Sequence, residues 1–288
     1  MTHASEPTLV TTGQVRLNRP VLLAASITPL RNAGAEVDED AIGPLAQFHR
    51  DNGADGVFAC GTTGEGLLLS PDERLRVTLR FREAIDGPLI VNVGCQTTDA
   101  TCALAAEAAE IGADGIAVVP PPYYPLDTAG VADHMVAAAL ACAPVSFYMY
   151  VFSVRSGYPF PVEVIDRVRQ RADNLVGLKV SEASIESVTP YIATGLDVLV
   201  GQEMLVAEAM KSGAVGAASG MASAYPAEVA RVVHGQAADA RGEMQALRSR
   251  LEALGGMIPG LKVELGRLGL PVRPDVRAPL RPSGRLVA

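Results

Sequence analysis

Short apolar runs alternate with longer stretches of helical character along most of the chain. Each run is β-branched or otherwise apolar, is too short for a typical helix, and ends at Gly, Pro or a small polar residue. Eight runs are predicted to be strands, namely Val21–Thr28, Gly56–Cys60, Leu89–Gly94, Gly115–Val119, Val145–Val151, Leu175–Val180, Asp197–Gly201 and Val215–Ser219.

The stretches between these runs carry helix start and stop signals. Ser70 is a predicted N-cap, because Pro71 follows it at the first helical position and acidic residues occupy the first turn. Thr98-Asp99 opens a predicted helix at 100–111, and a further helix is predicted at 162–172. Helix ends are predicted at Gly53, Gly112 and Gly213.

Strands that alternate with helices are joined by crossovers and form a parallel sheet. Eight such units in about 200 residues fit an α/β fold of the (β/α)8 TIM barrel type. An open, doubly wound sheet is the alternative. It is disfavoured because no GxGxxG motif follows the first strand, and the glycine-rich segment Gly61–Gly66 follows the second strand instead.

The pattern divides the chain into four segments. Residues 1–20 form an N-terminal tail without a signal-peptide pattern, and residues 21–225 hold the barrel. Residues 226–268 are helix-rich and are assigned to the last barrel helix and a C-terminal helical appendage. Residues 269–288 form a Pro-rich tail that is predicted to be extended or mobile, because its prolines forbid a continuous helix.

Composition narrows the classes of function. The chain has 288 residues, is 49% hydrophobic and only 19% charged, and can therefore bury a large core. Its net charge of −8 argues against nucleic acid or anionic membranes as partners, and it has no apolar run long enough to span a membrane. The four cysteines form no CxxC pair and the histidines are scattered, so neither a metal site nor a histidine base is predicted. Free thiols favour a cytoplasmic protein.

Lys179 is one of only three lysines and lies inside the apolar strand predicted at Leu175–Val180. A buried ammonium group is costly, so burial lowers the pKa and leaves a nucleophilic amine. A Schiff-base enzyme requires such an amine. The alternative is a lysine at a strand end that extends to solvent. Lys211 and Lys262 have polar flanks and are predicted to be ordinary surface residues.

Polar residues collect where the predicted strands end. In a TIM barrel, the chemistry is located at the carboxyl ends of the strands. An amine, hydroxyls and an arginine that converge there suit a substrate with a carbonyl and a carboxylate. The residues in these positions are Thr62 and Thr63, Tyr123 and Tyr124, Tyr148, Tyr150 and Arg155, Lys179, Gln202 and Glu203, and Ser219.

Each element also has a simpler explanation. The Gly61–Gly66 segment could be a structural turn, and the tyrosine-proline loop could be a rigid interface loop. Arg155 could be a solvated loop charge, and Glu65 could cap a helix rather than act as a general base. These explanations do not account for the joint placement of the residues at strand ends.

Five motifs together resemble one family. They are Ser26-Ile27-Thr28-Pro29-Leu30, Gly61-Thr62-Thr63-Gly64-Glu65, Pro122-Tyr123-Tyr124, Gly177-Leu178-Lys179 and Gly216-Ala217-Ala218-Ser219. They resemble the dihydrodipicolinate synthase / N-acetylneuraminate lyase family of pyruvate-dependent class I aldolases. The resemblance extends from Val21 to Arg267.

This resemblance implies roles for individual residues. Lys179 forms the Schiff base with pyruvate or a pyruvate-derived 2-oxo acid, and a tyrosine of the fifth strand is the general acid/base. Thr63 links that tyrosine to Tyr124, which comes from the neighbouring subunit of a tight dimer. The amides and hydroxyls of Thr62 and Thr63 hold the pyruvate carboxylate.

The resemblance also implies the remaining contacts and the assembly. Arg155 faces the carboxylate of the second substrate, and Gly201 and Ala218 line the floor beside the lysine. No cofactor and no metal are expected beyond the covalent lysine imine. The partners are a small 2-oxo acid and an aldehyde, and the chain forms a homotetramer as a dimer of dimers.

The fifth strand departs from the family pattern. The family has Tyr-Asn-Val-Pro-Ser-Arg-Thr-Gly or a relative of it, whereas the segment here is 148–157, with tyrosines at both Tyr148 and Tyr150. Both face the same side of the strand because they are two residues apart. The spacing from Tyr150 to Arg155 matches the motif, so Tyr150 is chosen, although counting from Pro144 favours Tyr148.

The resemblance leaves several activities open. The first is that of a 4-hydroxy-tetrahydrodipicolinate synthase (dihydrodipicolinate synthase), which joins pyruvate to aspartate semialdehyde. The second is a 2-oxo-3-deoxy sugar-acid aldolase or dehydratase, or an N-acetylneuraminate lyase. A third is an aldolase for another hydroxy-oxo acid, because the fold does not fix the acceptor. A catalytically silent sensor barrel is the non-enzyme alternative, and it predicts a broken site.

Overall fold

Eight parallel strands close into a barrel, as the sequence pattern predicts. The computed structural model describes residues 20–237 and 239–283, so the predicted N-terminal tail lies almost wholly outside the described residues. Within them the strands are β1 Val21–Ala25, β2 Leu30–Arg31, β3 Glu36–Val37, β4 Gly56–Ala59, β5 Leu89–Asn92, β6 Gly115–Val118, β7 Ser146–Val151, β8 Leu175–Val180, β9 Asp197–Val200 and β10 Gly216–Ser219.

Around the closed barrel the strand order is β1-β10-β9-β8-β7-β6-β5-β4. The short antiparallel pair β2 and β3 lies outside the barrel and was not predicted. Helices separate the barrel strands. In the described residues they are α1 Ile42–Asp51, α2 Pro71–Ala84, α3 Thr98–Glu110, α4 Thr128–Ala141, α5 Ser153–Ser156, α6 Glu163–Arg169, α7 Ile185–Ile192, α8 Val206–Lys211, α9 Pro226–Val233, α10 Ala240–Ala253 and α11 Met257–Arg267. The fold is thus a (β/α)8 TIM barrel with additional C-terminal helices.

Local sequence signals mark several of the helix boundaries. Ser70 forms a reciprocal capping box at the start of α2, in which its hydroxyl accepts from the Glu73 amide (3.2 Å) and the Glu73 carboxylate accepts from the Ser70 amide (2.8 Å). The cap of α3 is Thr97, one residue before the predicted opening, and it accepts from the Ala100 amide. The predicted stop glycines have left-handed φ angles, as at Gly112.

The barrel interior is filled by side chains and is not a pore. The ring of Tyr148 occupies the middle of this interior layer. It fits because two facing positions are glycines: a Cβ at Gly177 would lie 2.5 Å from the ring, and a Cβ at Gly115 would lie 2.8 Å from it. The packed layer forms a floor, so a substrate can enter only from the face where the strands end.

The C-terminal helices reach that same face of the barrel. Helix α10 packs on the turn that follows β9, and α11 packs on α10. Beyond α11 the chain forms no further helix as far as Ser283, and Val272 and Val276 are buried. No helix in the described residues is long and apolar enough to span a membrane.

Candidate active site

Lys179 lies near the carboxyl end of β8, and its side chain is buried in the barrel mouth. Its Nζ is 3.8 Å from the centroid of the Phe58 ring and 4.5 Å from that of Tyr150. Burial lowers the pKa of this amine to about 7, and the negative charge of Glu203 opposes the decrease. A substantial fraction of Lys179 is therefore an uncharged nucleophile at neutral pH.

A pocket of about 180 Å³ opens above this lysine at the carboxyl face of the barrel. Its walls come from the segments after β4, β7, β8, β9 and β10 and from the C-terminal helices. The lining residues are Thr62, Thr63, Tyr150, Phe152, Arg155, Lys179, Ser181, Gly201, Gln202, Glu203, Ala218, Gly220, Arg248, Met257 and Ile258.

Most of the side chains predicted from sequence meet in this pocket. Those that line it are Thr62, Thr63, Tyr150, Arg155, Lys179, Gly201 and Ala218. Tyr124 does not: its side chain is 72% exposed, and it forms an edge-to-face ring pair with Tyr123 at 4.9 Å. Within one chain, Tyr124 is therefore available to an outside contact rather than to its own pocket.

The barrel register separates the two candidate tyrosines of β7. Tyr150 pairs with Lys179 across β7 and β8, whereas Tyr148 pairs with Gly177, one layer deeper. The structure therefore brings Tyr150 to the lysine and uses Tyr148 to fill the barrel interior. Burial raises the pKa of Tyr150, so its phenol is protonated at neutral pH and can donate a hydrogen bond.

The threonine loop, residues 61–66, lies across the barrel from the lysine. Strands β4 and β8 are four strands apart in either direction around the barrel. The Thr62 hydroxyl lies 3.4 Å from the Tyr150 hydroxyl, which gives the phenol a hydrogen-bonding neighbour inside the pocket. A side chain at Gly66 would collide with the Cys60 carbonyl oxygen, so the loop can fold this tightly only with glycine there.

The structure places two charged residues, Lys262 and Glu65, in one buried pair. Lys262 was expected on the surface, but its side chain is fully buried and its Nζ lies 2.5 Å from Glu65 Oε1. For Glu65 the sequence left a helix cap and a general base as alternatives; in the structure its side chain makes no cap hydrogen bond and does not line the pocket. An unpaired buried charge would be very costly, so each of these two residues can be buried because the other carries the opposite charge.

Sequence reasoning placed Gln202 and Glu203 at a strand end but gave them no role. Glu203 is only 4% exposed, and its carboxylate accepts hydrogen bonds from the Ser219 hydroxyl (2.7 Å) and the Met221 amide (3.0 Å). Arg248 enters the pocket from α10 and lies 3.4 Å from the Gln202 side-chain oxygen. No motif predicted Arg248, because only packing of α10 brings it to the barrel mouth.

The chemistry available here is that of an amine and hydroxyl groups. In residues 20–237 and 239–283, no group of three or more His, Cys, Asp or Glu side chains is arranged to hold a metal ion. All four cysteines are free thiols. A buried amine of lowered pKa beside a protonated phenol, at the carboxyl face of a TIM barrel, provides the groups that class I aldolase chemistry requires.

Comparison with known proteins identifies the family. The sequence model of the Dihydrodipicolinate synthetase family matches residues 20–285, and the chain belongs to that family. Its members are lyases and synthases of the class I aldolase type, and this chain is an enzyme of that type.

Several relatives are similar in sequence to this chain over most of their length. An uncharacterized DapA-like lyase of Halobacterium salinarum is 33% identical over 266 residues, which cover 87% of this chain and 84% of the relative. The 4-hydroxy-tetrahydrodipicolinate synthase of Syntrophus aciditrophicus is 30% identical over 272 residues, with 90% and 91% covered.

Solved structures share the whole fold. A putative dihydrodipicolinate synthetase from Pseudomonas aeruginosa superposes with a TM-score of 0.82 at 28% identity, covering 91% of this chain and 93% of the other. The sialic acid aldolase of Ruminococcus gnavus gives a TM-score of 0.83 at 20% identity, covering 92% and 91%, and shows the shared fold alone.

Proposed function

We propose that the enzyme forms a Schiff base between Lys179 and pyruvate, or a pyruvate-derived 2-oxo acid, and that its best-supported activity is condensation of pyruvate with aspartate semialdehyde, as in a 4-hydroxy-tetrahydrodipicolinate synthase. One observation carries the proposal: the pKa of Lys179, buried in the barrel mouth beside Tyr150, is lowered to about 7. The synthase names of several relatives and the position of Arg155 in the pocket support the choice of acceptor.

The reaction follows from the chemistry of the amine. The uncharged Nζ of Lys179 attacks C2 of pyruvate and forms a carbinolamine, which loses water to give the iminium. Loss of a proton from C3 gives an enamine. Its C3 attacks the aldehyde carbon, so that the new carbon–carbon bond forms as the aldehyde C=O π bond breaks and the oxygen takes up a proton. Addition of water, or of the product's own amine, to C2 of the iminium then releases the amine of Lys179. No metal or separate cofactor takes part in this sequence.

Tyr150 is the proposed general acid and base. As a protonated phenol it donates its proton to the departing carbinolamine hydroxyl. The resulting phenolate takes up the proton that leaves C3, and the phenol then gives this proton to the former aldehyde oxygen. The Thr62 hydroxyl lies 3.4 Å from the Tyr150 hydroxyl. Thr63 completes the relay to Tyr124 of a neighbouring subunit, a role that the high exposure of Tyr124 supports.

The substrate carboxylates are assigned to opposite parts of the pocket. Thr62 and Thr63 hold the carboxylate of pyruvate, on the side of the barrel that faces Lys179. Arg155 holds the carboxylate of the acceptor, because a guanidinium binds a carboxylate through paired, charge-assisted hydrogen bonds. Gly201 and Ala218 line the floor beside the lysine and leave room for the 2-oxo acid.

Borohydride reduction in the presence of pyruvate tests the proposal. A Schiff base is reduced to a stable secondary amine, so the protein is expected to gain one pyruvyl group, located on Lys179 by peptide mass spectrometry. The same reaction without pyruvate is the control. A protein that gains no adduct, or gains it on Lys211 or Lys262, would contradict the proposed mechanism.

The pH dependence of imine formation is a second prediction. The free amine is the reactive form, so kcat/KM for pyruvate is expected to rise with pH and to level off above the Lys179 pKa of about 7. The negative charge of Glu203 raises that pKa, so the Glu203→Gln variant should reach its plateau at lower pH. A profile that is identical in the two proteins would show that Glu203 does not act on the amine.

The two arginines of the pocket allow a matched test of the acceptor. Arg155→Met is expected to raise the KM for aspartate semialdehyde about 10- to 100-fold, since a hydrogen bond to a charged group contributes about 1.5–3 kcal/mol. The KM for pyruvate should change little. Arg248→Met removes a guanidinium from the same pocket, and a larger effect there would reassign the acceptor carboxylate to α10.

A sugar-acid aldolase or dehydratase, or an N-acetylneuraminate lyase activity, is the second candidate. It is favoured by one observation: Gln202 and Glu203 add an amide and a carboxylate to the pocket, and such groups bind substrate hydroxyls. Release of pyruvate from a panel of 2-oxo-3-deoxy acids and sialic acid, measured beside condensation with aspartate semialdehyde, distinguishes the two. An aldolase for another hydroxy-oxo acid would appear in the same panel.

The proposed enzyme is cytoplasmic and forms a homotetramer, built as a dimer of dimers. The exposed Tyr123–Tyr124 pair supports a subunit contact near the pocket. Sedimentation velocity measures the number of subunits in the assembly. The turnover rate of the Tyr124→Phe variant tests whether the Tyr124 hydroxyl is needed in the neighbouring pocket. The non-enzyme alternative, a silent sensor barrel, is opposed by the lysine, tyrosine and threonines that remain together in the pocket.

A further inference from the structure

A buried ionic cluster joins the threonine loop to the C-terminal part of the chain. The Glu65 carboxylate lies at its centre: one oxygen is 2.5 Å from Lys262 Nζ, and the other accepts from the Arg277 amide at 2.6 Å. Lys262 also donates to the Asp275 carbonyl oxygen at 2.6 Å. The Arg277 guanidinium pairs with Glu73 at 2.6 Å, so the cluster is held from both sides.

Glu65 belongs to the same tight loop as Thr62 and Thr63. Its own amide donates to the Thr62 carbonyl oxygen at 3.1 Å, and its backbone has a left-handed φ of 57°. A non-glycine residue in that conformation is disfavoured and persists only where its surroundings impose it. Two hydrogen-bond donors from 197 and 212 positions away along the chain, Lys262 and Arg277, fix its side chain.

We propose that the Glu65–Lys262 pair is a positioning device, which sets the conformation of the threonine loop and thereby the affinity of the enzyme for the carboxylate of its 2-oxo acid. The inference rests on the proposed function for the identity of that ligand. Neither residue lines the pocket, so both act through Thr62 and Thr63 rather than on the substrate.

A purely stabilising role explains the pair less well. Removing two charges from water is costly, and apolar side chains of similar volume often stabilise a core as well or better. An apolar pair, however, could not accept the hydrogen bond that the Arg277 amide donates, and it could not fix the turn that holds Thr62 and Thr63 at the pocket. Helix α11 also supplies Met257 and Ile258 to the pocket wall, so the pair couples two walls of one pocket.

The chain offers a matched control on the same helix. Glu264 is buried two positions after Lys262, and it pairs with Arg250 of α10 (2.6 Å) and Arg267 of α11 (2.8 Å), both of which lie outside the threonine loop. Glu264→Gln therefore perturbs a buried charge of α11 without acting on Thr62 or Thr63. Its effect on thermal stability calibrates the cost of disturbing α11 itself.

The experiment compares Glu65→Gln, Lys262→Met and Glu264→Gln with the wild type. Steady-state kinetics and hydrogen exchange of the amides of residues 62–66 are measured for each protein. Glu65→Gln and Lys262→Met are expected to raise the KM for pyruvate about tenfold or more, to change kcat little, and to speed exchange in the loop. Glu264→Gln should lower the melting temperature and leave both the KM and the loop exchange unchanged.

Two results would overturn the inference. One is a KM and a loop exchange rate in Glu65→Gln that match those of Glu264→Gln, which would mean that the pair only stabilises the fold. If the single variants do not fold, the double variant Glu65→Met/Lys262→Met removes both charges at similar volume. A folded double variant with wild-type loop exchange would be the other contradicting result.

The loop exchange rate is measured without substrate, so it tests the inference even if the proposed function fails. A wild-type protein that forms no pyruvyl adduct contradicts the proposed function alone. A wild type that is trapped normally, together with variants of unchanged KM and loop exchange, contradicts the positioning role alone.

Discussion

The Lys179→Ala protein is expected to form no reducible adduct with pyruvate and to lose kcat/KM by on the order of 10⁴- to 10⁶-fold, the scale of loss when an enzyme's nucleophile is removed. The physical reason is that neither of the other two lysines lines the pocket: Lys262 is paired with Glu65 outside it, and Lys211 is exposed on α8. The measurement is borohydride trapping by intact-protein mass, together with steady-state rates.

Two further variants separate the loss of the amine from damage to the fold. Lys179→Met keeps most of the side-chain volume and should also abolish trapping, with a melting temperature close to that of the wild type. Lys211→Ala removes an exposed lysine and should be trapped normally. A Lys179→Met protein that still acquires a pyruvyl group would place the Schiff base on another residue.

Tyr150→Phe is expected to lower kcat by roughly 10²- to 10⁴-fold, the contribution of a positioned general acid or base. The ring remains, so its contacts with Phe58 and Phe152 are kept and only the hydroxyl is lost. Pyruvate binding should weaken far less than turnover. Single-turnover kinetics of imine formation separate the two effects.

Tyr148→Phe is the matched control, because it removes the same hydroxyl one layer deeper on the same strand. It is expected to change the rate little, since its ring lies in the barrel interior between Gly115 and Gly177, one layer below Lys179. If Tyr148→Phe lowers kcat 100-fold and Tyr150→Phe does not, the acid and base roles belong to Tyr148. The choice of Tyr150 from its spacing to Arg155 would then be wrong.

Sequence patterns were sufficient for the barrel because its strands are determined locally. The predicted run Leu175–Val180 is observed without change, and the run Gly56–Cys60 ends one residue earlier as β4 Gly56–Ala59. The first predicted strand ended too late, at Thr28 instead of Ala25. There the chain leaves the barrel, and the Thr28 hydroxyl donates to the Gly64 carbonyl oxygen at 2.7 Å, a contact that no local pattern contains.

The choice between Tyr148 and Tyr150 needed both the sequence and the strand register of the structure. Alternation along a strand puts Tyr148 and Tyr150 on one face and cannot rank them. Only the register of β7 against β8 gives their depth, and it places Tyr150 level with Lys179. Arg248 shows more clearly what the sequence cannot predict. Nothing in the sequence around this helical arginine indicates a pocket, and it reaches the pocket only because α10 packs on the turn after β9.

The two Gly-Leu-Lys triplets of this chain show what each level of structure determined. The sequence by itself determined that the chain alternates strands and helices, and that Lys179 lies in an apolar strand where a charge is costly. It assigned Lys262, in the second triplet, to the surface. Only the tertiary structure decided that both amines are buried: Lys179 faces Tyr150 and an open pocket, while Lys262 is neutralised by Glu65, 197 positions away. Burial of a charge depends on distant partners, whereas strand formation depends on neighbours along the chain.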